Sequence, residues 1–381
     1  MAADRASPDQ YDYMIVQFSR VIAVVSLCAG ASLVAACSGG GVTSPAGPRP
    51  STQPTAAPSG TPKPTPSPTP HPTASPTATP TSGPSGSHLY VSNYQGGSEA
   101  LGEITVYASD ARGDAAPLWT VSGADTALSY PEGIALDDRG ELFVANYNDT
   151  VTVYASGAKG DAKPVRTLAG TRTGLSYPVG IAVDGAGDAF VVNSNNTVTI
   201  YAAGANGNQA PERTIGGART KLRACDAIAI DASGAVYVAN LGAGSEPAVT
   251  VYAAGATGDV APTATISGDQ TGLHIPTGIA VDATGEVIVS NYNQSVTVFT
   301  AGSNGDQPPT RKLHGGHTGL DANYGIAVAK LGSLFVTNQG LTSGPYSVTA
   351  YASDATGDAA PLRRLTGSTT GLVVPNGIAV H

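Results

Sequence analysis

This sequence predicts an all-β chain, a six-bladed β-propeller of four-stranded blades closed by pairing its C-terminal strand with its first blade. Three observations carry that expectation. One phrase recurs, as PEGIALDDRGELFVANY from Pro131, PVGIAVDGAGDAFVVNS from Pro178 and PTGIAVDATGEVIVSNY from Pro276. Its spacing is regular: 47 residues separate Gly133 from Gly180 and Gly180 from Ala227, and Gly278, Gly325 and Gly377 continue the series. The last copy stops at NGIAVH, Asn376 to His381, while its missing half, HLYVSNY, stands at His88. Five full repeats and one divided between the two ends make six units, and repetition at this period is how propeller blades are written in sequence.

Each unit reads as four strands, A to D. The GIAVD-type run is short and apolar, suited to an innermost strand. ELFVANY follows a tight turn with Gly140, TVTVYA alternates β-branched and aromatic residues, and PVRTLAG completes the unit. Polar turns such as SGAKGDAKP separate the third and fourth strands. Ile134, Val183 and Ile279 are expected on innermost strands, with Ala135, Ala182 and Ala280 small enough for a crowded axis. On the third strand Tyr107, Tyr154, Tyr201, Tyr252, Phe299 and Tyr351 recur; packing between blades is preferred to a ring for stacking sugars. Arg166, Arg213, Arg311 and Arg363 fit charge on an exposed outer edge, which discourages pairing with another chain.

The composition divides the rest of the chain. Residues 1–37 are a processing segment, 38–87 a low-complexity linker and 88–381 the propeller. From Arg20 to Cys37, a positive charge, an apolar run and small residues precede a cysteine. The segment resembles a bacterial lipoprotein signal, with Val34, Ala35, Ala36 and Cys37 in the lipobox positions. That resemblance implies cleavage before Cys37, lipidation of its thiol and a place in the cell envelope outside the cytoplasm. An uncleaved membrane helix is the alternative, but the apolar run is shorter than the roughly 20 residues a span needs. Met14, followed directly by the basic and apolar parts, is expected to be the true start. The linker, rich in Pro, Thr and Ser, has too few large apolar groups to offset ordering entropy. At roughly 3.1 Å per residue, fully extended, it would span on the order of 150 Å and lift the domain off a membrane.

Charge and cysteines exclude some functions. Charged residues are 12% of the chain and the net charge is −9, so no basic stripe exists to neutralise nucleic-acid phosphates. Of three cysteines, Cys28 would leave with the signal and Cys37 would carry lipid. Cys225 then has no partner for an intramolecular disulfide, and it stands where other repeats place proline. Gly-x-Ser-x-Gly elbows, phosphate loops and Cys-x-x-Cys pairs are absent. His314 and His317, in HGGH, are read as a surface loop rather than part of a zinc site.

The repeats resemble the NHL type, through Pro-x-Gly-Ile-Ala-Val-Asp, the glycine before the second strand, and Val-Ala-Asn, across 88–381. One departure is consistent: Asn93, Asn146, Asn193, Asn240, Asn291 and Asn338 stand where such repeats commonly carry Asp. In a propeller the D-to-A and B-to-C connections share one face, called the first here, and the A-to-B and C-to-D turns share the other. Asp137, Asp184, Asp231 and Asp282, in Asp-x-x-Gly turns, fall on the second face, as does each Gly-Asp pair such as Gly160-Asp161; both are expected to serve turn chemistry. Arg112-Gly113-Asp114 spells an adhesion tripeptide but belongs to the same repeated turn.

Function is expected on the first face. Its B-to-C loops are longer in three blades, YQGGSEALGE from Tyr94, LGAGSEPA from Leu241 and QGLTSGPYS from Gln339. The residue before each GIA-type glycine should approach the axis there: Glu132, Val179, Asp226, Thr277, Tyr324 and Asn376. Glu132, Asp226 and Asn376 are hard oxygen ligands suited to Ca²⁺ or Mg²⁺, and the ring resembles that of gluconolactonase-type propellers. That likeness implies a metal-dependent lactonase or esterase, although Val179 interrupts the ring and no general base is identifiable. The leading expectation is non-catalytic: a monomeric, lipid-anchored binding module for a protein, peptide or cell-surface glycan, with Val179, Thr277 and Tyr324 completing the rim.

Overall fold

Alternating β-branched and aromatic residues, punctuated by Gly and Pro, give each unit short strands that neighbouring backbone groups must satisfy. The computed structural model describes residues 87–97, 101–242, 246–340 and 345–381. Readings made for residues 1–86, including Cys37 and nearly all of the linker, lie outside the described residues. So do Ser98–Ala100, Ala243–Ser245 and Leu341–Gly344, the centres of the three long B-to-C loops.

The described residues form six antiparallel four-stranded sheets. In the second blade the strands run Pro131–Leu136, Leu142–Asn146, Thr150–Tyr154 and Arg166–Ala169, from the axis outward. The first blade takes its innermost strand, Pro375–Val380, from the C-terminus and the next, His88–Asn93, from the start of the domain. Leu89 faces Val380, Tyr90 faces Ala379 and Val91 faces Ile378. His88 and His381 exchange backbone hydrogen bonds of 2.8 and 3.0 Å. The interrupted phrase is therefore the closure.

Apolar cores lie between blades rather than within them. Ile104, Val106 and Val121 of the first blade pack with Ile134, Leu142 and Val144 of the second, and five similar clusters complete the ring. The expected crowding of alanine at the axis is corrected. Ile134, Ile181, Ile228, Ile279, Ile326 and Ile378 line the axial cavity, and Ala135 and Ala182 join the clusters between blades. Residues 132 and 134 both reach the cavity, and alternation after 134 turns residue 135 the other way.

The third-strand aromatics are buried packing residues that also carry a polar tip. The phenols of Tyr107, Tyr154, Tyr201, Tyr252 and Tyr351 donate to the carbonyls of Thr370, Thr126, Thr173, Thr220 and Thr318 at 2.5 to 2.7 Å. Burial raises these phenols, that of Tyr201 to about 12, so they remain donors. Each tie fastens a blade to the D-to-A connection leading into it. The fifth blade carries Phe299 at this position and forgoes the bond.

The outer edge differs from expectation. The C-to-D connection of each blade climbs the D strand of the blade before it: Gly160 donates to the Thr120 carbonyl at 2.6 Å and accepts from Ser122 at 3.0 Å. Asp161 then accepts the Asp125 N–H at 2.7 Å, on the D-to-A connection. The Gly-Asp pairs therefore cap connections of the first face, because covering an edge satisfies backbone groups that a second-face turn would leave to water. Asp114 does the same for Thr369, so the adhesion tripeptide is part of the closure. The arginines are not bare edge charges either. Arg166 lies 5.7 Å from the Phe143 ring centre and pairs with Glu141 at 2.6 Å, and Arg311 pairs with Glu286.

Two outcomes follow. Deleting Ile378–His381 removes the buried Ile378 and the backbone pairing of the closure, and is expected to lower unfolding free energy by more than about 3 kcal/mol, whereas trimming the linker leaves it unchanged. Urea denaturation reads both, and equal stability of the two truncations would refute the closure. The Tyr154→Phe substitution should cost about 1 kcal/mol and Phe299→Tyr should gain a similar amount by supplying the missing phenol. Opposite shifts in melting temperature are the required result.

Candidate binding face and axial site

The strand that lines the axis is bent at the same place in every blade. Pro131 pairs with Asn146, but Ile134, not Gly133, pairs with Val144, so one extra residue bulges at Glu132–Gly133. Equivalent register shifts occur in the other five blades. Such bulges re-aim side chains, here turning the residue before glycine toward the axis. The glycine is needed for space. A Cβ on Gly278 would lie 2.4 Å from the Tyr324 carbonyl oxygen, and one on Gly377 would lie 2.6 Å from that of Glu132.

Asparagine holds this region in place. Each of the six asparagines is buried at the end of its second strand. Asn146 Nδ2 donates to Thr152 Oγ1 at 3.1 Å and to the Val144 carbonyl at 3.3 Å, while its Oδ1 accepts the Ser129 N–H at 3.1 Å. The donor to Thr Oγ1 recurs in all blades at 3.0 to 3.2 Å, and the acceptor from the D-to-A connection at 2.9 to 3.1 Å. An aspartate could accept but not donate to the carbonyl, so this corner as built calls for the amide.

All six expected ring residues meet at one axial cavity of about 90 Å³: Glu132, Val179, Asp226, Thr277, Tyr324 and Asn376. All are buried, Glu132 at 1% and Asp226 at 3% exposure. Asn376 bridges two neighbours, its Nδ2 donating to Glu132 Oε2 at 2.6 Å and its Oδ1 accepting from Gln339 Nε2 at 2.7 Å. Thr277 donates to the Asn323 carbonyl at 3.0 Å. Of the three oxygen ligands expected for Ca²⁺ or Mg²⁺, Glu132 and Asn376 are bonded to each other in this arrangement. Asn376 turns its oxygen to Gln339 and its N–H to Glu132, and Val179 separates Glu132 from Asp226 around the ring.

Other sequence candidates have bonded roles. Cys225 is buried at 4% exposure, and burial pushes its thiol up to about 12, which leaves it unreactive. His317 Nδ1 lies 2.6 Å from Asp358 Oδ2, an exposed pair that raises the imidazole and lowers the carboxyl. On the second face Asp137 accepts from the N–H groups of Arg139 and Glu141 at 3.0 and 2.8 Å, and Asp184, Asp231 and Asp282 repeat the turn.

Sequence reasoning missed a row of tyrosines on the first face. Tyr130 and Tyr94 lie 5.1 Å apart between ring centres, Tyr94 and Tyr147 6.4 Å, and Tyr147 and Tyr177 4.9 Å. Tyr94 and Tyr147 each follow a buried asparagine, and Tyr130 and Tyr177 each precede the proline of a GIA phrase. Those two boundary positions were the available signal. Tyr94 is buried beneath the row and Tyr177 is 50% exposed. Both Tyr130 and Tyr177 have positive φ, 52° and 45°, a conformation bulky residues rarely adopt. A bond from the Tyr177 N–H to Asp149 Oδ1 of the preceding blade, 2.6 Å long, helps hold it there.

Compared with known proteins, the chain matches no family model and no curated sequence.

Replacing Asn146 by Asp is expected to destabilise the fold by about 2–4 kcal/mol, since a buried carboxylate would face the Val144 carbonyl. Urea denaturation near neutral pH measures it. A loss under 0.5 kcal/mol would mean the amide donor does not matter.

Proposed function

We propose that the protein is a lipid-anchored binding module of a bacterial cell envelope, holding a protein, peptide or cell-surface glycan on the first face of its propeller. The observation that supports this most is the tyrosine row. Aromatic rings that present a flat apolar body and a polar tip suit recognition of partly polar ligands, and these continue across three adjacent blades. The second face offers repeated Asp-capped turns, whose carboxylates are occupied by their own backbone.

The lipobox-like segment ending at Cys37 and the Pro/Thr-rich linker support a tether outside the cytoplasm. Hydrolysis of a lactone or ester is the less favoured function, because the axial carboxylate Glu132 and the amide of Asn376 are bonded to each other rather than arranged around a reacting group.

Binding of the full-length protein to cell-envelope material, measured by co-sedimentation, tests the assignment. The paired substitution Tyr147→Ala and Tyr177→Ala is expected to weaken binding at least about tenfold, from loss of stacking at two rings. Leu331→Ser, on the second face, should leave it unchanged. The opposite pattern would move the site to the other face.

A further inference from the structure

Beside the tyrosine row lies a groove of about 840 Å³, lined among others by Asn196, Lys221, Arg223, Glu246, Thr250 and Ser267. The two features are continuous. The Tyr177 carbonyl accepts from Ser194 N and Oγ at 3.2 and 2.8 Å. Two residues on, Asn196 Oδ1 accepts the Ala224 N–H at 2.6 Å, beside Arg223 in the groove wall. A single short turn thus carries the surface from the last aromatic ring to the basic side chains.

Charge singles out this groove. The chain is acidic, with net charge −9, yet the D-to-A connection here reads GGARTKLRAC and exposes Arg219, Lys221 and Arg223. Among the described residues, neither Lys221 nor Arg223 is in an ion pair, although Arg166 and Arg311 are. Glu246 is the groove's carboxylate, and the nearby Asp259 already caps the Arg219 N–H at 2.7 Å. The remaining wall combines Thr and Ser residues, Asn196 and Asn240 with Leu222 and small residues.

Taking the first face as the binding face, we propose that its ligand is a carboxylated glycan, with sugar rings stacked on the tyrosine row and acid groups held by Lys221 and Arg223. Flat sugar faces match tyrosine rings, ring hydroxyls match Ser267 and Asn196, and carboxylates supply the missing partners of two cations. Three clustered cations in an acidic chain are too few for a phosphate backbone, whose binding rests on neutralising many charges.

Calorimetry of the full-length protein with oligogalacturonate, its neutral methyl ester and a single-stranded oligonucleotide of matched charge tests the assignment. The acid form is expected to bind and the ester to bind at least about tenfold more weakly, with added salt narrowing the gap. Lys221→Ala combined with Arg223→Ala should cost the acid form about tenfold and leave the ester unaffected. Equal binding of acid and ester, binding of neither, or tighter binding of the oligonucleotide overturns the ligand class. The binding face is judged separately: envelope binding that still falls with Tyr147→Ala and Tyr177→Ala keeps the face when the glycan fails, whereas binding indifferent to the tyrosines rejects the face as well.

Discussion

Six buried asparagines are the constraint on which the ring depends. Each blade ends its second strand where three backbone directions meet: its own strand, the third strand beside it, and the connection arriving from the previous blade. Only a side chain that donates and accepts at once can satisfy all three without water. Asn146 does so toward Val144, Thr152 and Ser129, and its five counterparts repeat the solution. With that corner fixed, the start of the innermost strand has a defined place, and the bulge that turns Glu132 and its equivalents to the axis follows.

Around this corner the blades are held by complementary devices. Apolar clusters fill the space between sheets, phenols tie each blade to its incoming connection, and the C-to-D connection covers the neighbouring outer edge. Burial supplies most of the cohesion, while the hydrogen bonds specify register. A repeated architecture allows one device to be missing from one blade, as at Phe299, because the others persist.

The two faces have diverged within this frame. The second face repeats an Asp-capped turn, and its carboxylates are consumed locally. On the first face the same corner carries residues that need not obey the repeat, and they differ from blade to blade. Tyrosines gather on the first three blades, cations on the connection into the fourth, and acidic and amide groups at the axis. Strained backbone at Tyr130 and Tyr177 belongs to this face. Conformations of that kind persist only where surrounding bonds over-determine them.

By itself the sequence determined the architecture, the blade count, the closure and the membership of the axial ring, because repetition and strand alternation are local properties that survive in one dimension. The Asn corner was visible as a departure at six positions, though its meaning needed the three partners. What only the tertiary structure decided depends on distance between blades. Isoleucine rather than alanine lines the axis, the Gly-Asp turns guard a neighbour's edge, and Asn376 is bonded to both Glu132 and Gln339. The tyrosine row escaped the repeat for the same reason. Its members come from two different boundary positions of successive units, and they become neighbours only when a B-to-C turn and a D-to-A connection are folded onto one face.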